Sequence, residues 1–152
     1  MRGITWLASL SVLSATLVIG GRSASAATCW CSTTPLAFGN YNAVATTDLA
    51  TTGTVHYWCS GWATTRTVYL SKGIAGSNNP RQMAFGSNRL SYNLYMDAAH
   101  SQIWGDPNPY FYRVNTTDLW ADVTLTIYGL IPQGQDVAAG NYTDNITVTI
   151  NF

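Results

Sequence analysis

Apolar and polar residues alternate with a period of two along much of this chain. The pattern is clearest in Asn141 to Phe152. Tyr142, Ile146, Val148, Ile150 and Phe152 share one parity, interrupted by Asp144, while Asn141, Thr143, Asn145, Thr147, Thr149 and Asn151 share the other. Such alternation predicts a half-buried β-strand, because successive side chains of a strand point to opposite faces. The sequence stops on the last inward residue, and a strand this apolar normally has another element covering its flank. An empty position there would leave the fold one strand short, to be completed by another polypeptide.

Shorter segments with the same signature recur between turn clusters. Trp30 to Phe38 is the first, ending at Gly39-Asn40, and Thr52 to Ser60 the second, with Val55, Tyr57 and Cys59 on one parity. Arg66 to Lys72 predicts a third, with Val68 and Leu70 inward, before a loop rich in Gly, Ser and Asn over Gly73 to Pro80. A short piece at Gln82 to Phe85 precedes the alternating Leu90, Tyr92, Leu94 and Met96. Tyr110 to Val114 follows a turn, and Val123, Leu125 and Ile127 mark a strand closed by Gly129, Pro132 and Gly134. Helix formers are scarce and no long segment keeps helical periodicity. Many short strands with regular turn signals predict an all-β antiparallel sandwich.

Residues 1–26 stand apart as a signal peptide. Arg2 supplies a short positive region, Ile4 to Ile19 an apolar stretch, and Ala24-Ser25-Ala26 the small-x-small pattern of a signal-peptidase site. The run falls short of the roughly 18 apolar residues that a membrane span requires. Cleavage after Ala26 leaves residues 27–152 as one exported domain, long enough for one core. All seven acidic residues are Asp within that domain, whereas Arg2 and Arg22, two of the seven basic ones, precede the cut. The exported part is therefore mildly acidic. It has no electrostatic footprint for nucleic acid and no polybasic membrane patch, and no stable membrane insertion is expected.

Candidate chemistry is sparse. Cys29, Cys31 and Cys59 are the three cysteines, which in an exported chain suggests one disulfide and one leftover thiol. Cys59 paired with either Cys29 or Cys31 would tie the first strand to the second, contributing on the order of 3–4 kcal/mol. Cys29 with Cys31 would close too tight a ring, and a C-x-C with one distant Cys lacks zinc-site spacing, so no metal is expected. His56 and His100 are the two histidines, and no Ser or Cys sits in a nucleophile motif. Asp48, Asp97, Asp106, Asp118 and Asp144 mostly fall near turns, where Asp bonds local backbone. No catalysis and no cofactor are expected. Among many aromatics, Trp58 and Trp104 read as core. Tyr110 and Tyr112, beside Pro107 and Pro109, are the candidate surface contact.

A series of short motifs adds to this. Cys29 is followed by Leu36-Ala37-Phe38-Gly39-Asn40-Tyr41, then Thr52-Gly53-Thr54-Val55 and Cys59, then Arg81-Gln82-Met83. Leu90-Ser91-Tyr92-Asn93-Leu94-Tyr95, Trp104-Gly105-Asp106, Tyr128-Gly129-Leu130-Ile131-Pro132 with Gly134-Gln135, and Ala139-Gly140-Asn141-Tyr142-Thr143-Asp144 continue it. In this order they resemble the spore coat protein U domain family, which includes subunits of archaic chaperone–usher pili and secreted coat proteins. The resemblance spans essentially the whole exported domain. It implies an immunoglobulin-like sandwich lacking its last strand, filled first by a periplasmic chaperone and then by the N-terminal extension of a neighbouring subunit. It also implies a Cys29–Cys59 bridge with Cys31 extra, and docking of the donor strand on Tyr142, Ile146, Val148, Ile150 and Phe152. The implied partners are the chaperone, an outer-membrane usher and other pilin-like subunits. The implied route is the periplasm, then the cell surface, a fimbrium or the extracellular space.

Two departures qualify the resemblance. Only Ala27 and Thr28 precede Cys29 after the cut, too little for the alternating extension of donating pilins, and Leu130 stands where the family often has a basic residue. The expectation is a subunit that accepts a strand without giving one: a fibre end or a secreted coat protein. Left uncovered, Ile146, Val148, Ile150 and Phe152 would forfeit roughly 6–12 kcal/mol, comparable with the whole stability of a small domain. The alternative is a self-contained sandwich that binds glycans or surfaces through exposed aromatics.

Overall fold

The computed structural model describes residues 3–5, 28–61, 65–106, 112–115 and 120–152. Among them are nine strands and no helix: β1 (Gly3–Thr5), β2 (Thr28–Thr34), β3 (Leu49–Ser60), β4 (Thr65–Leu70), β5 (Arg81–Phe85), β6 (Asn88–Tyr95), β7 (Tyr112–Asn115), β8 (Trp120–Ile131) and β9 (Val148–Asn151). One sheet runs β2-β3-β8-β6-β5 and the other β1-β9-β4-β7, with every pairing antiparallel. This is the all-β sandwich that the alternation predicts, with immunoglobulin-like strand order.

The longest ladder joins β3 to β8, from Leu49 opposite Ile131 to Ser60 opposite Trp120. Alternation then decides which side chains meet. Val55, Tyr57 and Cys59 of β3, Leu125 and Ile127 of β8, and Leu90, Tyr92 and Leu94 of β6 face Val68 and Leu70 of β4 and Ile150 of β9 in the buried core. Cys29 lies opposite Cys59 in register, and the two form the disulfide, leaving Cys31 free. Arg66 shares the inward parity of β4. Its guanidinium and the Tyr57 hydroxyl are buried with no hydrogen-bond partner.

One flank is stapled shut. Arg81, fully buried on β5, donates from Nε to the Ser71 carbonyl at 3.0 Å, from one terminal nitrogen to Asn93 Oδ1 at 2.9 Å, and from the other to the Trp104 carbonyl at 2.7 Å. The buried Trp104 donates its indole N–H to the Val68 carbonyl at 3.0 Å. These bonds join β5 and the segment after β6 to β4 of the opposite sheet. Burial opposes the charge on Arg81, an effect that the Asp144 carboxylate partly offsets.

Two elements are shorter than the alternation predicts. β2 ends at Thr34 rather than Phe38, because Pro35 cannot donate to a ladder. Leu36 then packs where a Cβ at Gly53 or Gly129 would stand, and Phe38 packs beside it at Gly129. The terminal segment is strand only over Val148–Asn151. Before it, Thr143 exchanges backbone hydrogen bonds with Ala84 at 2.8 and 3.1 Å, and the Thr147 carbonyl accepts from Ser71 N at 2.9 Å. Asp144, the break in the alternation, points inward and accepts from the Tyr92 hydroxyl at 2.7 Å and Ile74 N at 2.9 Å. A Cβ at Gly73, whose φ is +67°, would collide with that carboxylate.

Candidate functional site: an apolar cleft beside the terminal strand

β9 pairs along one edge with β4, Val68 lying opposite Ile150 and Leu70 opposite Val148. Nothing was expected beside its other edge. The structure places β1 there, with Gly3 opposite Asn151, Ile4 opposite Ile150 and Thr5 opposite Thr149. The covering residues come from the segment read as the signal peptide. The reason is general: an edge strand presents unpaired N–H and C=O groups that any extended segment within reach can satisfy. β1 covers only that end. From Val148 back to Tyr142 this edge carries no strand of the described residues.

Beside that uncovered stretch lies a cleft of about 360 Å³. Leu36 and Phe38 form one wall, Leu94, Tyr92 and Ile127 the floor, and Leu70, Val148, Ile146 and Tyr142 the other wall. Thr33, Thr34, Asp144 and Asn145 lie at its polar margin. The Phe38 ring stands edge-on to Tyr92 with centroids 5.9 Å apart. Burial, and then the hydrogen bond and charge of Asp144, push the Tyr92 hydroxyl far above its ordinary pKa, against a smaller opposing pull from Arg81. Tyr92 therefore stays a neutral donor, and the Asp144 carboxylate is used by it and by the Ile74 and Asn145 amides. A slot of this composition suits apolar side chains of an extended segment.

The residues proposed for strand docking separate into three groups. Tyr142, Ile146 and Val148 line the cleft, Ile150 is already buried in the core, and Phe152 packs against the core outside the cleft. Leu36, Phe38, Tyr92, Leu94 and Ile127 were not anticipated as cleft residues, since periodicity marks them only as core. The usable signal was a glycine within or at the end of a strand run, Gly53 and Gly129, which marks a close approach without naming Leu36 as what approaches. Tyr110, Trp62, Pro107, Pro109, Asp118 and the Ala24-Ser25-Ala26 motif lie outside the described residues. Tyr112 is partly buried, its ring 5.5 Å from that of Trp104. Trp104 is in the core, but Trp58 is not: it sits on the outer face of β3. His56 Nε2 meets Asp122 Oδ1 at 2.5 Å on that open face. Ser32 lies opposite His56 in the β2–β3 ladder, and the His56 imidazole is engaged by Asp122. No group of three or more His, Cys, Asp or Glu could hold a metal among the described residues.

Comparison with known proteins gives three findings. The Spore Coat Protein U domain model matches residues 14–149. Protein U of Myxococcus xanthus is 32% identical over 134 residues, spanning 77% of this chain and 71% of that protein. A chain from the crystal structure of the CsuC-CsuE chaperone-tip adhesion subunit pre-assembly complex, from archaic chaperone-usher Csu pili of Acinetobacter baumannii, superposes with a TM-score of 0.58 at 20% identity. That match covers 83% of this chain and 40% of the other, so this chain spans less than half of that neighbour's length and shares its fold.

Proposed function

We propose that this chain, which belongs to the Spore Coat Protein U domain family, is an exported, non-enzymatic structural subunit of a surface fibre or coat, completed along the outer edge of β9 by a strand from another polypeptide. Removal of residues 1–26 on export withdraws β1 from that edge. A periplasmic chaperone supplies the strand first. A neighbouring pilin-like subunit replaces it at an outer-membrane usher.

One observation carries the reading. The inward residues Tyr142, Ile146 and Val148 line an apolar cleft beside an edge whose strand partner is Gly3–Thr5, from the segment read as a signal peptide. An added strand satisfies the edge amides and carbonyls, and its alternate side chains enter the cleft. Ile150 is already buried, so completion rests on the partly buried Tyr142, Ile146, Val148 and Phe152. That leaves on the order of 2–4 kcal/mol to gain, a fraction of full burial. The chaperone–subunit complex among the structural neighbours and the Spore Coat Protein U domain support the same role.

The test is to export the domain behind an unrelated, efficiently cleaved leader, with and without a co-expressed chaperone from a chaperone–usher system. Soluble, protease-resistant protein that accumulates only as a complex supports the proposal. A lone processed monomer that melts high, with the β9 amides protected from hydrogen exchange, would overturn it.

A further inference from the structure

The outer face of the five-stranded sheet is turned away from the cleft, and it is built unlike an ordinary solvent face. Trp30, Trp58 and Asp122 lie opposite one another on β2, β3 and β8, forming one row across the sheet. In the preceding row Trp120 stands opposite Ser60, its ring 5.1 Å from that of Trp58. Trp30 is 55% exposed and Trp120 64%. Indoles this open on the outer face of a sheet are rare without a use, since their burial is worth so much.

The cluster is held in place. Asp122 grips His56 Nε2, and the Trp30 ring packs edge-on against the His56 imidazole with centroids 5.7 Å apart. Along β3 and β8, away from the indoles, the outward rows carry hydroxyls. Thr34, Thr54 and Thr126 form one row, with the Thr34 and Thr54 hydroxyls 2.9 Å apart. Beyond it Tyr128 lies opposite Thr52 on one side and Tyr95 on the other. The His100 imidazole stands edge-on to both tyrosines, at 5.2 and 6.5 Å. His100 holds a φ of +54°, a conformation that costs a non-glycine residue about 1 kcal/mol. The Asp97 carboxylate fixes its loop by accepting from Ser101 and Gln102 amides. Strain kept at an aromatic cluster is the kind that functional sites retain.

We propose that this face binds an extended, uncharged polysaccharide, with pyranose rings stacked on Trp30, Trp58 and Trp120 at one end and on Tyr95 and Tyr128 at the other. Three features select that ligand. Between the two clusters the outward positions hold Ser, Thr and His but no Leu, Ile, Val or Met, so a dry protein partner would find no apolar side chains to pack against there. They hold no Lys or Arg, and the carboxylates at the two ends are engaged within the chain, Asp122 by His56, Asp97 by the Ser101 and Gln102 amides and Asp48 by the Gln133 amide, so no charged polymer is complemented. Sugars present C–H faces to aromatic rings and hydroxyls to hydroxyls, directly or through water. The clusters are six residues apart along β3, about 20 Å at the rise of a strand, which spans several sugar rings. This inference is independent of strand addition: the cleft uses the inward side chains of the sheet, and the platform the outward ones.

The experiment is native affinity electrophoresis of the exported protein, with its complementing strand where one co-purifies, in gels containing hydroxyethyl cellulose, glycol chitin or laminarin. Cellohexaose quenching of tryptophan fluorescence gives a second readout. Retardation by at least one polymer, weakened at least tenfold by Trp30→Ala and Trp120→Ala with unchanged melting temperature, supports the proposal. Tyr128→Ala should weaken long-chain binding more than binding of a disaccharide. Retardation of wild type and variants alike would overturn it, as would none at all by folded protein. Binding to polystyrene beads alone, or tryptophan-dependent self-association alone, would assign the face instead to apolar surfaces or to a second copy of the chain.

Discussion

The two flanks of the sandwich solve the same problem in opposite ways. Along β5, β6 and β4 the chain closes itself. Arg81 and Trp104 reach from one sheet to backbone carbonyls of the other, so polar groups freed at the sheet ends are satisfied within the molecule. Between β2 and β9 the walls are apolar, with Leu36 and Phe38 facing Ile146 and Val148 across a cleft. The backbone edge there is met by three residues from outside the predicted domain. Hydrogen bonds from side chains fix a flank permanently, because breaking them strands buried acceptors. An apolar slot beside a backbone edge accepts any strand of the right alternation, and so can exchange one for another.

The comparison can be broken most sharply at Arg81. Arg81→Met removes a donor from the Leu70, Ser71 and Trp104 carbonyls and from the side-chain oxygens of Asn78 and Asn93. It should cost about 3–5 kcal/mol in urea denaturation, or prevent accumulation. Arg81→Lys should recover little, since one ammonium cannot reproduce the fork. The other buried arginine sharpens the point. Arg66 has no hydrogen-bond partner among the described residues, so Arg66→Met is expected to raise stability by about 1–2 kcal/mol, measured the same way.

On the open flank, Val148→Asp should lower the stability of the unprocessed chain by only about 1–2 kcal/mol, yet abolish chaperone co-purification. Unchanged capture would remove β9 as the docking edge. The smallest effect concerns Cys31, at the root of that flank. Burial pushes its thiol pKa up, so at a given pH less of it is the reactive thiolate. Iodoacetamide labelling of the folded protein at pH 8 should therefore be severalfold slower than in urea, and should rise with pH. Cys31→Ser should leave the Cys29–Cys59 bond intact and stability within about 0.5 kcal/mol.

Alternation alone was enough to assign the inward faces of β3, β4, β6 and β8, and the parity of Tyr142 to Phe152 holds to the last residue. A period-two pattern is a local property, read from neighbouring residues without knowing what they pack against. Its failures have local causes too: Pro35 ends β2, and Asp144 turns the terminal segment toward Tyr92 and Ile74. What the pattern could not decide is which outward positions carry scattered polar residues and which gather into an aromatic cluster. Trp58 has the parity of a solvent position and the composition of a core one, and only the pairing of β3 with β2 and β8 puts it beside Trp30 and Asp122.

The amino-acid sequence by itself determined where the long strands of the core lie, their buried sides and the family to which the chain belongs. Tertiary structure alone decided that Leu36 crosses Gly53 and Gly129 to wall a cleft, that Arg81 closes one flank, and that the free edge of β9 draws in Gly3–Thr5. The division follows from chain separation. Residues a few positions apart constrain one another through backbone geometry, whereas residues a hundred apart meet only once the sheets have stacked.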